Sequence, residues 1–345
     1  IIQYDLKEEL GYSQQYYQKR TGHLVEVVTD EGITGWGECF GPGNVAIANK
    51  VIVERVIQPM ILGENPLNRD VLWHKVYNLL RDHGQKGMPI QALSGVDIAL
   101  WDILGKVTGL SISRLIGGRF REQVPVYGYG MMLRREKLPA LMDRFEDEAA
   151  AIKSSGFVAT KMKVGLGPKQ DVQLAESVRR GVGGDFPFMV DANHCYTVDQ
   201  ALYVGRALEE LDAYWFEEPV APEDLDGYQE LRSQLTINIA GGEAEFTRWG
   251  WRNLLEKHCL DIAQPEVCAL GGISEYLRVL ALAQAHFTQV INHVWGSAVA
   301  IATNLQLLAV IPPLPGGIHP QEPMLEFDTT DNKFRDDLPV SYTHL

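Results

Sequence analysis

Residues 159–165 read Ala-Thr-Lys-Met-Lys-Val-Gly, which puts Lys161 and Lys163 two apart at the end of a short apolar run. Successive side chains of a strand alternate in direction, so the two lysines share one face and Met162 takes the other. Adjacent ammonium groups repel. Repulsion and desolvation together are expected to lower the pKa of at least one lysine, giving an amine that accepts a proton near neutral pH. Taken alone, the stretch reads equally as a surface strand with two solvated lysines, and its neighbours decide between the readings.

Those neighbours repeat one pattern. Candidate strands lie at 124–131, 159–165, 186–193, 213–219, 237–245, 259–267, 288–295 and 323–328, with helical patterns such as 171–180, 198–211 and 273–287 between them. Eight strands alternating with helices predict a closed parallel (β/α)8 barrel of the TIM type over residues 121–328. An open doubly wound sheet is the alternative, but no G-x-G-x-x-G follows a strand. Residues 1–120 have a different grammar. A Gly-containing turn at 30–32 joins two alternating runs at 22–29 and 33–40, and helical spacing follows at 51–60, 68–82 and 91–108, stopping near Gly109. This is an α+β domain, and 329–345 is expected to be a tail that returns toward it.

The 345-residue chain is 46% hydrophobic and 22% charged, with a formal net charge of -14. It can bury a large core, and its charge disfavours nucleic acid and anionic membranes as partners. Cys39, Cys195, Cys259 and Cys268 form no C-x-x-C pair, and no apolar run is long enough to span a membrane. The chain opens on Ile1 without a signal-peptide pattern, so a reducing, cytoplasmic setting is expected.

The strand ends carry Lys163, Asp191, Glu217, Glu243, Glu266 and His293, spaced by 28, 26, 26, 23 and 27 residues. Each spacing is about one strand and one helix, so six consecutive strands deliver a titratable group to the face where barrel active sites are built. Three inward carboxylates, Asp191, Glu217 and Glu243, need a counter-ion. Oxygen ligands alone favour Mg2+, with Mn2+ as the second choice and Zn2+ disfavoured. The alternative is three unrelated salt bridges. Glu218 should face away as a structural partner, while Glu245 shares the face of Glu243. Glu266 can accept from one ring nitrogen of His293 and raise the basicity of the other. Lys163 and His293 would then flank a substrate, an arrangement suited to removing a proton beside a carboxylate. A Schiff-base aldolase using Lys161 or Lys163, or a barrel that only binds sugars, are the competing readings.

Lys161-Met162-Lys163, Asp191-Ala192-Asn193, Phe216-Glu217-Glu218-Pro219, Gly241-Gly242-Glu243, Gln264-Pro265-Glu266, His293 and Leu325-Glu326 together resemble the mandelate racemase subgroup of the enolase superfamily over nearly the whole chain. The resemblance implies metal ligation by Asp191, Glu217 and Glu243, and base catalysis by Lys163. It implies substrate contacts by Lys161, Asn193 and Glu326, with His293 and Glu266 as a second catalytic pair. The histidine partner in this family is usually Asp, so the extra methylene of Glu266 leaves His293 as base or as acid. The family also implies that 1–120 caps the barrel, with substrate lid loops at 10–20 and 41–49, and that the protein is a homo-oligomer. Residues 81–85, 191–196 and 293–296 together point, by the same resemblance, to acid-sugar dehydratases and galactarolactone cycloisomerases. The expected substrate is an acid sugar or its lactone. Dehydration to a 2-keto-3-deoxy acid ranks first, ahead of lactone cycloisomerisation and racemisation or epimerisation.

Overall fold

The structure is a computed structural model, and it describes residues 1–314, 317–318 and 320–336. Its N-terminal part begins with β1 (Ile2–Tyr12) and β2 (Gln15–Gly22), an antiparallel hairpin. Then come β3 (Leu24–Val28) and β4 (Thr34–Glu38), the antiparallel pair expected around the turn at 30–32. The first hairpin corrects the expectation of a lid loop at 10–20, since only the Ser13-Gln14 turn is irregular. In β1 the core receives Leu6 and Leu10. A spacing of four residues imitates a helix, and a break in register between Asp5 and Leu10 further obscures the strand period.

The second expected lid, 41–49, is half helical, because Val45–Ile52 is an α-helix. It runs on through a π-helical turn, Val53–Ile57, into Gln58–Ile61. Helices Arg69–Leu80 and Met88–Thr108 follow, and the latter ends at Gly109 in the left-handed conformation, which lacks a Cβ penalty there. Strand β4 lies almost on this long helix. A Cβ on Gly37 would sit 1.9 Å from the carbonyl oxygen of Gly95, and one on Gly35 would sit 2.1 Å from that of Ala99. Glycine at both positions is what allows the approach.

The remaining strands form one parallel sheet: β5 (Val126–Met131), β6 (Ala159–Lys163), β7 (Phe188–Asp191), β8 (Trp215–Glu217), β9 (Asn238–Gly241), β10 (Ile262–Ala263), β11 (Gln289–Val290) and β12 (Leu325–Asp328). Each pairs with its sequence neighbour from β5 to β11, and β12 returns to pair with β5, which curls the sheet into the expected (β/α)8 barrel. The ladder is open between β11 and β12. There a side chain bridges the seam, Glu326 accepting from the Val294 N–H at 2.9 Å. Tyr127, Met189, Trp215 and Ile262 fill the barrel interior, while Met162, Val190 and Phe216 face outward into the layer under the helices. Burial of each such side chain contributes about 1.5–3 kcal/mol.

Two carboxylates of the N-terminal part sit on barrel helices. Asp97 accepts from the Ser274 N–H (2.9 Å) in the first turn of Gly272–Ala285. Glu38 accepts from the N–H groups of Ser297 (2.9 Å) and Ala300 (3.0 Å), and from the Ser297 hydroxyl (2.6 Å), at the start of Ala298–Ala309. Both satisfy N–H groups that a helix leaves unpaired and favour its positive end. At the other terminus, Lys333 N–H donates to the Tyr4 hydroxyl (2.9 Å), and the Phe334 ring meets the Tyr4 ring edge-on. Residues 337–345 of the expected tail lie outside the described residues.

Candidate active site

Strands β6, β7 and β8 are in register at their C-terminal ends, where Lys163 pairs with Asp191 and Asp191 with Glu217 across the ladder. Register alone therefore brings these three side chains together. Two residues back on β6, Lys161 is completely buried inside the barrel, its Nζ 2.6 Å from Glu217 Oε1, 2.6 Å from Glu326 Oε1 and 3.8 Å from Asp191 Oδ2. Lys163 Nζ donates to Asp191 Oδ2. The other oxygen of Asp191 accepts from the Asn193 N–H (2.9 Å), and Glu217 Oε2 accepts from Trp215 Nε1 and Gln264 Nε2, each at 2.8 Å.

These contacts reverse the expected direction of the lysine pKa. Burial pulls both ammonium groups down, and Lys161 pulls further on Lys163, but the carboxylates outweigh them. Glu217 and Glu326 hold Lys161 well above the usual lysine value, and Asp191 does the same for Lys163. Repulsion between the lysines is the smaller effect because each has a carboxylate partner closer than the other lysine's charge can offset. Among the acids, burial pushes Glu217 up to about 7 despite Lys161. For Asp191 burial is outweighed by Lys163 and Lys161, which hold it near 2.

Across the barrel mouth, His293 Nδ1 donates to Glu266 Oε2 at 2.7 Å, and Glu266 Oε1 accepts from the Cys268 N–H at 2.8 Å. The expected pair therefore forms with Glu in place of Asp. His293 Nε2 lies 3.1 Å from Glu243 Oε2 without hydrogen-bond geometry. Burial would lower the imidazole, yet Glu243, Glu326 and Glu266 raise it to about 10.

Asp191, Glu217 and Glu243 each present a ligand atom, all within 4.8 Å of one another. One oxygen of Glu243 is buried with no hydrogen-bond partner. Oxygen donors converging in this way fit a small hard dication with ligand distances of about 2.1 Å, given slight side-chain movement. The lysines now supply the positive charge such an ion would bring. Asn193 Oδ1 is also buried without a partner, at a left-handed position (φ 40°) followed by His194 (φ 56°). An orphaned buried amide oxygen is an acceptor held ready for a ligand.

Glu218 does not face away as alternation predicts: it follows the end of β8 at a left-handed position (φ 41°) and is buried beside the cluster, 3.8 Å from His194 Nε2, where Glu243, Asp191 and Glu217 act on its charge. Glu245 does not join the triad. It pairs with Lys86 at 2.6 Å and accepts from the Phe246 N–H at 2.7 Å. Sequence reasoning missed Tyr129, whose ring lies 5.7 and 5.9 Å from the two lysine Nζ atoms, and gave Gln264, noted only as part of a motif, no role of its own. Tyr127 and Tyr129 alternate through β5, so period two could have found them. It also missed how the first hairpin reaches the site, with Ser13 Oγ and Gln14 Nε2 each donating to the Asn193 carbonyl at 2.9 Å.

Residues 10–117 match the family model described as mandelate racemase / muconate lactonizing enzyme, N-terminal domain, and residues 144–342 match the enolase C-terminal domain-like model. D-galactarolactone cycloisomerase of Agrobacterium fabrum is 40% identical over 338 residues, 97% of this chain and 87% of that relative. Arabinonate dehydratase of Saccharolobus solfataricus is 32% identical over 326 residues, 93% of this chain and 84% of the relative. Among solved structures, 3,6-anhydro-D-galactonate cycloisomerase from Zobellia galactanivorans superposes with a TM-score of 0.84 at 37% identity, covering 97% of this chain and 90% of that one. A racemase from Streptomyces coelicolor A3(2) with bound magnesium gives a TM-score of 0.84 at 28% identity, covering 95% and 87%.

Proposed function

The chain belongs to the mandelate racemase / muconate lactonizing enzyme family of the enolase superfamily and is an enzyme, and on that premise we propose that it opens the lactone ring of an acid sugar by removing the proton next to a carboxylate. The observation that carries this reading is the placement of Lys163 and the His293–Glu266 pair on opposite sides of one carboxylate cluster. The cycloisomerase relative, 40% identical over 97% of the chain, moves ring opening ahead of the dehydration that the sequence placed first. Dehydration stays as the second reading because the arabinonate dehydratase relative covers 93% of the chain.

The two reactions differ only in the group that leaves. In both, the bond from the α-carbon to hydrogen breaks and its electron pair passes toward the carboxylate. It then returns to expel an oxygen from the β-carbon. In dehydration that oxygen departs as water and needs a proton. In ring opening it is the ring oxygen of the lactone, which leaves as a carboxylate and stays attached to the product.

Asp191, Glu217 and Glu243 would hold Mg2+, with Mn2+ as a substitute. When bound, the ion would supply positive charge beside the substrate carboxylate. Lys163, with its Nζ at the mouth of β6, is the base. Lys161 and Glu326, hydrogen-bonded to each other one layer deeper, hold the substrate carboxylate and the negative charge that develops on it. Asn193 offers its unpartnered amide oxygen to a substrate hydroxyl. His293, fixed by Glu266 with Nε2 toward the cluster, acts from the opposite face as acid or second base. The Ser13-Gln14 turn closes over Asn193 and reads the polar end of the sugar.

Proton NMR in D2O with Mg2+ and D-galactarolactone tests this. The expected result is loss of one α-proton signal with appearance of a ring-opened product, abolished by Lys163→Ala or by chelation. Product lacking one water instead identifies dehydration. Unchanged turnover in both Lys163→Ala and His293→Ala, or an adduct trapped by borohydride in metal-free protein, overturns the mechanism.

A further inference from the structure

His293 lies on a segment beyond the last ladder-paired residue of its strand. Strand β11 ends at Val290, residues 291–296 have no regular secondary structure, and the sheet is open on the β12 side of this segment. The barrel ties its first two residues, the Ile291 N–H donating to the Ala263 carbonyl (3.0 Å) and the Asn292 side chain accepting from the Tyr276 hydroxyl (2.9 Å) and donating to Asn304 Oδ1 (2.8 Å), while the residues after His293 are held by two carboxylates, one on β12 and one from the N-terminal part. Glu326 takes the Val294 N–H, and the buried carboxylate of Glu38, at the end of β4 in the N-terminal part, takes the Ser297 N–H and hydroxyl and the Ala300 N–H. Gly296 runs so close to Glu38 that a Cβ there would sit 2.8 Å from Oε1. Two residues on, Phe40 sets its ring edge-on to both His293 and Trp295, with centroids 5.9 Å apart in each case. The Phe40 N–H donates to the Cys268 carbonyl at 2.9 Å, in the loop whose Cys268 N–H holds Glu266.

Glu38 and Phe40 thus brace both loops of the His293–Glu266 pair. We propose that Glu38 is a positioning residue for His293: it anchors the 293–297 segment where the sheet is open and so sets the reach of the imidazole toward the substrate. This deepens the function proposed above and rests on it for the role of His293. The anchor carries the segment on one side only, because the Lys163 strand is secured by ladders to both neighbours, β5 and β7. A defect at Glu38 should therefore reach one catalytic group and spare the other.

The test is Glu38→Ala, with Glu38→Gln, which keeps the volume and part of the acceptor set, should the alanine chain not fold. Peptide-resolved amide exchange in the whole chain without substrate should become about tenfold faster over residues 291–300 and stay unchanged over 159–165. With D-galactarolactone as probe, kcat should fall about tenfold, as for other loss of an outer hydrogen-bond partner, with KM unchanged. In a His293→Ala background the same substitution should cost nothing further, since its effect passes through that ring. Unchanged exchange over 291–300, equal loss over 159–165, or a full additive loss in the double variant overturns the proposal. Amide exchange decides the matter even if no acid is turned over, whereas that failure would sink only the function proposed above.

Discussion

Replacing Lys161 by Met keeps the length of the side chain and removes its charge, leaving Glu217, Glu326 and Asp191 buried around an apolar tip. Two of the lost contacts are ion pairs at 2.6 Å and the third is at 3.8 Å. Removing one partner of a buried pair costs about 3–5 kcal/mol, because the remaining charge is stranded. Proton uptake by Glu217, whose carboxyl burial already lifts to about 7 against the pull of Lys161, sets the lower end of that range. With about 2.1 cal/mol/K of unfolding entropy per residue, a chain of 345 residues has about 0.7 kcal/mol/K, so Tm should fall by about 4–7 °C. Thermal melts followed by circular dichroism, in chelator and then in Mg2+, would show it. Magnesium at a hundred times its dissociation constant should restore about 2.7 kcal/mol, or about 4 °C, to the variant. The wild type should gain less, since its lysines already balance the carboxylates. A variant that melts within a degree of the wild type in chelator, or an equal magnesium shift in both, would refute the idea that lysine and metal serve the same charges.

Glu266→Asp withdraws the acceptor by one methylene from the 2.7 Å bond to His293 Nδ1, and kcat should fall about 10- to 100-fold with the fold intact; steady-state kinetics showing no loss would dissociate the pair from catalysis. For Asp97, burial lifts the carboxyl to about 6 from 3.8, against the Ser274 donors. The folded state then holds the proton more tightly than the unfolded chain, so stability relative to Asp97→Asn should decline as pH rises from 4 to 6, by about 3 kcal/mol. Denaturant titrations giving a flat or rising difference would contradict the sign. Gly37→Ala places a methyl 1.9 Å from the Gly95 carbonyl oxygen, backbone against backbone. Strand or helix must shift, at a cost of about 1–3 kcal/mol or more, and a melting point equal to wild type would show that β4 is free to move.

The barrel and its charged strand ends were legible because a parallel strand buried on both faces tolerates few ionisable residues, and each one that appears is placed by register. Lys163, Asp191 and Glu217 meet simply because their strands pair. Glu243, Glu266 and His293 follow their strands by two or three residues and were found by spacing alone. The first hairpin was not legible, since Leu6 and Leu10 lie four apart and its other positions are mostly exposed or half-buried. Lysine ionisation was misjudged because the sequence shows two lysines side by side but hides which acids each will touch. Glu38 and Asp97 escaped notice although a signal existed. Asp97 interrupts the apolar run Gly95-Val96-Asp97-Ile98-Ala99-Leu100, and an acid there must answer to something outside its own helix.

Asp97 and Glu38 also bear on how this chain could exchange parts with its relatives. Cutting at residue 120 looks natural from the change of pattern there, yet it would strip two barrel helices of the acids that complete their first turns. A foreign N-terminal half would have to supply acids at matching places, or the recombined protein would carry bare helix ends beside the histidine loop. The Ser13-Gln14 turn touches the barrel through hydrogen bonds to Asn193, a contact at His194 and the packing of Ser13 on Gly165, where a Cβ would sit 2.5 Å from that of Ser13. Shuffling for new substrates should therefore be drawn around residues 12–15, leaving the rest of the N-terminal half with its own barrel.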